Sequence, residues 1–206
     1  MSEGTTPRRR TLPSGEARPS YTLDSLLDVA VGVFTERGYD GASFAHLSEA
    51  SGLSRSSIFH HFESKEQMLR LGLERALEPL MASTEEPPAR EGPAIDRLTY
   101  LIRRNLEIMA DRLPYVKLLL NLHGNTDTER WALEQRRAYD KFVASVVEDA
   151  IAEGAVRADI DARTTARLLF GMINSVREWY RPERHSNPVE LASQVSSLIL
   201  DGIRTH

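Results

Sequence analysis

Residues 51–69, SGLSRSSIFHHFESKEQML, bring hydroxyl, guanidinium and imidazole groups into one short stretch of a chain whose formal net charge is −4. A guanidinium such as that of Arg55 can bind a guanine edge or a phosphate oxygen. The small side chains of Ser54, Ser56 and Ser57 would let a helix enter a DNA groove, where its N-terminal amides can meet phosphate. The stretch therefore predicts a local contact with nucleic acid, although a pI near 5.9 argues against non-specific coating.

The adjacent histidines of this stretch, His60 and His61, do not predict a metal site. Neighbouring helical residues point about 100° apart, so the two imidazoles cannot chelate one ion as histidines four residues apart would. The chain contains no cysteine, which excludes a disulfide framework, a thiolate nucleophile and a cysteine-based zinc site. The sequence also lacks the signatures of nucleotide-binding loops, serine hydrolases and zinc proteases. We therefore expect no catalytic residues, no cofactor and no metal, so that the protein is not an enzyme.

Four closely spaced helices are predicted to position the groups of residues 51–69. The first carries apolar residues at helical spacing through LDSLLDVAVGVF, and Ser43, Ser54 and Ser64 can each cap one of the next three. A helix, a turn containing Gly52 and a second helix form the arrangement that places the second helix in a DNA major groove. The apolar residues expected to lock these two helices together are Leu47, Leu53, Ile58 and Phe62.

The remainder of the chain also predicts helices and no strand, so the expected fold class is all-α. The fourth helix should end near Pro79, and the segment STEEPPAREGP, 83–93, should separate two parts of the chain because its prolines and glycine break the helical pattern. Later helices are expected at about 94–112, 114–123, 126–153, 161–181 and 188–204, and Asn187 is the expected cap of the last.

The sequence indicates neither a membrane span nor a secretory signal. Its apolar runs fall well short of the roughly 20 residues that a span requires. Residues 1–20 lack the apolar stretch of a signal peptide and are expected to form a disordered arm. We expect a cytoplasmic protein without a membrane partner.

Gly38-Tyr39, Ser43 and the run LSEASGLSRSSIFHHFESKEQML, 47–69, resemble the DNA-binding signature of the tetracycline-repressor (TetR) family. The resemblance implies a DNA-binding domain at 21–66 and a larger helical domain for ligand binding and dimerisation at 67–206. It also implies that operator DNA is bound by a homodimer. Phe59 stands where the family usually has tyrosine, so its contact with DNA could only be apolar. The DNA-contacting residues expected from the resemblance and from the side chains are Ser43, Ser54, Arg55, Ser56, Ser57, Phe59, His60 and Lys65.

Two C-terminal stretches, IAEGAVRADID and LLFGMINSVREWYRP, resemble members of the family that respond to acyl-CoA thioesters. The resemblance implies a small apolar or amphipathic effector such as an acyl-CoA. The expected ligand-binding residues are Leu101, Tyr115, Leu119, Trp131, Phe170, Asn174 and Trp179. Asn174 would supply the polar recognition.

The last two helices are expected to pair with their copies, because two-fold repetition supplies the affinity that one short recognition helix lacks. In the last helix the expected apolar stripe comprises Leu191, Val195, Leu198 and Ile199. Packing of these helices inside a monomer is the alternative. At the level of function, the alternatives are a regulator of an efflux or drug-response gene and a helical adaptor that binds proteins without DNA.

Overall fold

The computed structural model describes residues 22–181 and 188–203, and the regular elements of this part of the chain are all helices. This confirms the predicted fold class. The predicted arm at 1–20 and the predicted cap Asn187 lie outside the described residues. In chain order the helices are α1 (Leu23–Arg37), α2 (Phe44–Ser51), α3 (Arg55–Phe59), α4 (Lys65–Ser83), α5 (Pro87–Arg90), α6 (Ala94–Asp111), α7 (Leu113–Leu120), α8 (Asp127–Ala152), α9 (Ala162–Trp179) and α10 (Pro188–Ile203).

The first four helices begin where the sequence supplies a capping side chain. The hydroxyls of Ser43, Ser54 and Ser64 each accept a hydrogen bond from the backbone N–H three residues on, which confirms the three predicted caps. Between α2 and α3, Gly52 adopts the left-handed conformation with φ of 68°, and its N–H donates to the carbonyl of Ser48. The turn thereby satisfies one free carbonyl of α2 and separates α2 from α3 within a few residues.

The predicted end of α4 near Pro79 is wrong, because the helix continues to Ser83. A proline inside a helix removes one backbone hydrogen bond and crowds the preceding turn. Here α4 packs against α1, α6, α7 and α8, and it buries Ala76 and Leu77 before the proline and Ser83 after it. Tertiary packing on both sides of Pro79 therefore offsets the local penalty.

The segment at 83–93 does interrupt the long helices, but it is packed and contains a short helix of its own. Ala89 of α5 is fully buried, and α5 lies against α6. The guanidinium Nε of Arg90 donates to the carbonyl of Thr84 at 2.6 Å, which closes the turn between α4 and α5. The segment therefore joins α4 to α6 within the helical body.

The remaining helices form a bundle around α6, which contacts α4, α5, α7, α8, α9 and α10. Their bounds confirm the predicted helices to within about three residues. Helix α7 packs against both α1 and α4, so it joins the first three helices to the bundle. None of the helices in the described ranges is long and apolar enough to cross a membrane.

Candidate DNA-binding surface and effector cavity

The start of α3 presents Arg55 from an aromatic platform. The rings of Phe44 and Phe59 stack with centroids 4.6 Å apart, and the Arg55 Cζ atom lies 5.0 Å from one centroid and 5.4 Å from the other. Phe59 is 41% exposed, while Phe44 is half-buried and packs against the core. A cation resting on ring faces keeps its in-plane N–H groups available for hydrogen bonds. The platform therefore restricts the Arg55 side chain and leaves its N–H groups available as donors.

Three serine hydroxyls lie together beside Arg55. The Ser54 hydroxyl oxygen lies 3.0 Å from that of Ser56 and 2.8 Å from that of Ser57, and it also accepts from the Ser57 backbone N–H. His60 is exposed at the other end of α3. The structure thus brings six of the eight predicted DNA contacts, Phe59 among them, onto one short helix and its two caps.

Ser43 lies at the start of α2 in a reciprocal cap with His46. The His46 backbone N–H donates to the Ser43 hydroxyl at 3.3 Å, and the Ser43 N–H donates to His46 Nδ1 at 3.2 Å. His46 therefore has a structural role that the sequence analysis did not assign to it. The available signal was its place three residues after a capping serine, where glutamate or glutamine usually completes such a box.

Lys65 contacts the protein's own backbone at the joint between α1 and α2. Its ammonium donates to the carbonyls of Tyr39 and Ala42 at 2.8 and 2.9 Å and lies 4.2 Å from the Tyr39 ring centroid. Two of its three N–H groups are thus committed. This clamp fixes the chain that leads into Ser43, and a phosphate contact by the third N–H stays a prediction.

A cavity of about 60 Å³ lies in the bundle between α4, α6, α7, α8 and α9. A single water needs about 10–15 Å³ by the same measure, so the cavity admits a small chemical group. Its apolar wall includes Leu80, Ile108, Met109, Leu119 and Phe170. Its polar side chains are Asn105, Arg136, Tyr139, Asp140 and Asn174.

The structure brings Leu119, Phe170 and Asn174 together in this cavity and places the other four predicted ligand residues elsewhere. Leu101 is buried in the general core. The Tyr115 hydroxyl donates to Asp28 of α1, and burial and this bond raise the pKa of Tyr115 to about 12. Trp131 packs against Arg70 of α4, and Trp179 is 47% exposed on α9.

Three polar side chains of α8 line the cavity although the sequence analysis did not single them out. Arg136, Tyr139 and Asp140 stand at helical spacing on one face of α8. Burial lowers the pKa of Arg136 and raises the pKa of Asp140, and the two charges partly offset each other's shift. The available signal was this run of polar side chains on a helix face that otherwise carries buried Val143 and Val147.

Helix α4 connects the cavity with the DNA-binding surface. Ala76 and Leu80 of α4 line the cavity, and Lys65 at its first turn holds the joint before α2. The helical rise places Lys65 and Leu80 about 22 Å apart along the axis. Thr128 of α8 adds a further link by donating to Glu66 of α4 at 2.8 Å.

Helix α7 provides a second connection. Its residues Val116 and Leu119 line the cavity, while Tyr115 bonds to Asp28 of α1. Leu118 packs against α4 so closely that a Cβ added at Gly72 would lie 3.1 Å from its side chain. A change in the shape of the cavity would therefore move α4 and α7, the two helices that support α1, α2 and α3.

Comparisons with known proteins match two family models to separate stretches of the chain. Residues 26–71 match the model described as "Bacterial regulatory proteins, tetR family", and residues 91–203 match "Tetracyclin repressor-like, C-terminal domain". The crystal structure of a TetR family member from Streptomyces coelicolor A3 is 50% identical, with a TM-score of 0.83 over 92% of this chain and 94% of that one.

Two more distant proteins are similar to this chain over most of their length. The transcriptional repressor KstR2 of Mycolicibacterium smegmatis is 24% identical over 198 residues, which cover 93% of this chain and 95% of that protein. The structure of AibR in complex with isovaleryl coenzyme A and operator DNA is 18% identical, with a TM-score of 0.68 over 85% of this chain and 96% of that one.

Proposed function

Because the chain belongs to the TetR family of bacterial regulatory proteins, we propose that it is a transcriptional repressor that binds a palindromic operator as a homodimer. A small apolar or amphipathic effector, such as a short-chain acyl-CoA, releases it from DNA. The observation that carries the proposal is the pair of helices, α4 and α7, that line the cavity and also hold the DNA-binding helices.

Helix α3 is the recognition helix of this proposal. It enters the major groove with Arg55 toward a base edge, while Ser54, Ser56 and Ser57 lie close to the backbone. Two copies would contact half-sites whose centres lie about one or one and a half helical turns apart, since major grooves on one side of DNA recur about every 34–36 Å.

Helices α9 and α10 form the dimer contact of this proposal. Of the seven large apolar side chains exposed in the described part of the chain, five lie on these two helices. Leu168 is 68% exposed on α9, and Leu198 is 70% exposed on α10. Pairing with a second copy would remove the exposed leucine side chains of these consecutive helices from water, which favours a dimer. The apolar stripe predicted for the last helix does not lie on a single surface. Ile199 is buried within the chain, while Leu198 faces outward.

The cavity supports a short acyl group as the effector's apolar part. Its volume of about 60 Å³ would hold a small branched chain, and a longer chain would require the helices to separate. AibR was solved with isovaleryl coenzyme A, whose acyl group is of this size class. KstR2 and AibR are therefore useful guides to the kind of effector to test.

A surface depression next to the cavity suits the charged part of a CoA thioester. It shares Leu120, Arg136 and Asn174 with the cavity and adds Arg177. The positive charge of Arg177 disfavours the charged form of Arg136. Arg177 also pairs with Glu178 of the same depression, its Nε donating at 2.7 Å. Phosphate groups placed there would therefore compete with this carboxylate for Arg177 while forming charge-assisted hydrogen bonds with both arginines.

Displacement of DNA tests the proposal. A labelled palindromic duplex, selected from random sequences by the purified protein, is titrated with isovaleryl-CoA, and free CoA and free isovalerate serve as controls. We expect isovaleryl-CoA to dissociate the protein–DNA complex, and we expect neither free CoA nor free isovalerate to do so. If an unrelated small molecule dissociates the complex and no thioester does, the acyl-CoA part of the proposal fails while the repressor part stands.

A further inference from the structure

Tyr139 lines the effector cavity, and its hydroxyl is buried. Tyr139 is 1% exposed, and its hydroxyl makes no hydrogen bond within the described residues. Its ring packs against Phe170, with centroids 5.6 Å apart at an angle of 54°, and both residues line the cavity. A buried hydroxyl without a partner destabilises the folded state, so its presence calls for a functional reason.

The polar groups beside this hydroxyl do not meet hydrogen-bond geometry with it. Burial raises the pKa of Tyr139 to about 12, and polar interactions with the side chains of Asn105 and Ser83 offset part of that rise. The Ser83 hydroxyl already donates to the carbonyl of Leu80 at 2.6 Å. Tyr139 therefore remains protonated at neutral pH and can donate to an acceptor that enters the cavity.

The charges of the cavity favour an uncharged acceptor. Asp140 lies one residue after Tyr139 on the same lining, and its carboxylate would repel a second carboxylate. Arg136 lies on that lining as well, and Asp140 supports its charged form. A carbonyl oxygen, in contrast, accepts a hydrogen bond without adding a charge to a small, largely apolar space.

We propose that the Tyr139 hydroxyl donates a hydrogen bond to a carbonyl oxygen of the effector and thereby selects compounds in which a carbonyl adjoins a short apolar group. The inference rests on the proposed function, in which this cavity receives the effector. A thioester, a ketone and an amide all offer such an oxygen, and a hydrocarbon or thioether of the same shape does not.

The test compares Tyr139→Phe with the wild-type protein in two measurements. Phenylalanine keeps the ring packing and removes only the hydroxyl. In the ligand-free protein, Tyr139→Phe should leave the denaturation midpoint unchanged or raise it, because the lost group has no partner. Tyr100→Phe is the matched control, since the Tyr100 hydroxyl donates to Glu86 outside the cavity. That control should lower the midpoint and leave ligand binding unchanged.

Binding is measured with two pairs of probes that differ at the carbonyl. The first pair is isovaleryl-CoA and its thioether analogue, and the second is 4-methyl-2-pentanone and 2,4-dimethylpentane. The wild-type protein should prefer the carbonyl member by about tenfold, and Tyr139→Phe should abolish the preference. A preference for the ketone that disappears in Tyr139→Phe, without any binding of the thioester, would support Tyr139 and contradict the acyl-CoA effector.

A Tyr139→Phe variant that keeps the carbonyl preference overturns the inference, and so do two other outcomes. One is a clear loss of ligand-free stability in Tyr139→Phe, because the hydroxyl would then have a partner such as a buried water. The other is a wild-type protein without a carbonyl preference in either pair, including a protein that binds none of the four probes.

Discussion

Replacing Lys65 with methionine tests whether the clamp between α4 and the α1–α2 joint stabilises the DNA-binding helices. The change keeps an unbranched apolar stem and removes the two hydrogen bonds to the carbonyls of Tyr39 and Ala42, at 2.8 and 2.9 Å. Hydrogen bonds that involve a charged group contribute about 1.5–3 kcal/mol each when well buried. Lys65 is half-buried and water can reach the site, so we expect about 2 kcal/mol for the pair.

A loss of this size should lower the thermal midpoint by about 4–8 °C in a protein of this length. Calorimetry of Lys65→Met measures it, and Lys141→Met, which removes an exposed lysine of α8, is the matched control. The salt dependence of operator binding is measured in parallel. A phosphate contact by the third N–H would reduce the slope of log K against log salt by about 0.9 in Lys65→Met. An unchanged midpoint would refute the clamp whatever the slope.

Three further changes test other parts of the account. Arg55→Ala should weaken operator binding by about 5- to 150-fold at fixed salt and relax specificity at the base pair that Arg55 contacts. If the double variant Arg55→Ala, His60→Ala bound the operator with unchanged affinity, α3 would not be the recognition helix. The pair Val195→Glu and Leu198→Glu should abolish the dimer and DNA binding together, because unpaired charges would enter an apolar contact, whereas an unaltered dimer in sedimentation velocity would place the interface elsewhere. Burial raises the pKa of Asp140, so stability from this carboxyl is present below its unfolded pKa and lost as pH rises through its folded pKa. Asp140→Asn should therefore raise the free energy of unfolding at pH 7, and urea titrations that show a less stable variant would contradict this.

Local signals in the sequence predict the helices well because each end is set by nearby residues. The hydroxyls of Ser43, Ser54 and Ser64 cap the helices that they were expected to cap, and Gly52 adopts the expected left-handed turn. The end of α4 was misplaced, because helices distant in sequence pack on both sides of Pro79. Periodicity does not report such packing.

The ligand cavity could be predicted only in part for a related physical reason. Periodicity indicates which side of a helix is buried, but not which buried residue borders empty space. Leu119 borders the cavity, while Leu101 is buried in the general core. Tyr139 was missed because its significance lies in the absence of a partner for its hydroxyl, which only the packed structure reveals. The family match favours a DNA-binding regulator over the protein adaptor considered as an alternative.

The coupling between effector and operator is the central claim, and reciprocity provides its most direct test. An effector that weakens operator binding by some factor must itself bind the operator complex more weakly by the same factor. Calorimetric titration of isovaleryl-CoA into the free dimer and into the operator complex gives the ratio of the two ligand affinities. Operator binding measured with and without saturating isovaleryl-CoA gives the ratio of the two operator affinities. We predict two equal factors well above one. Equal affinity of isovaleryl-CoA for the free and the DNA-bound protein would contradict this prediction.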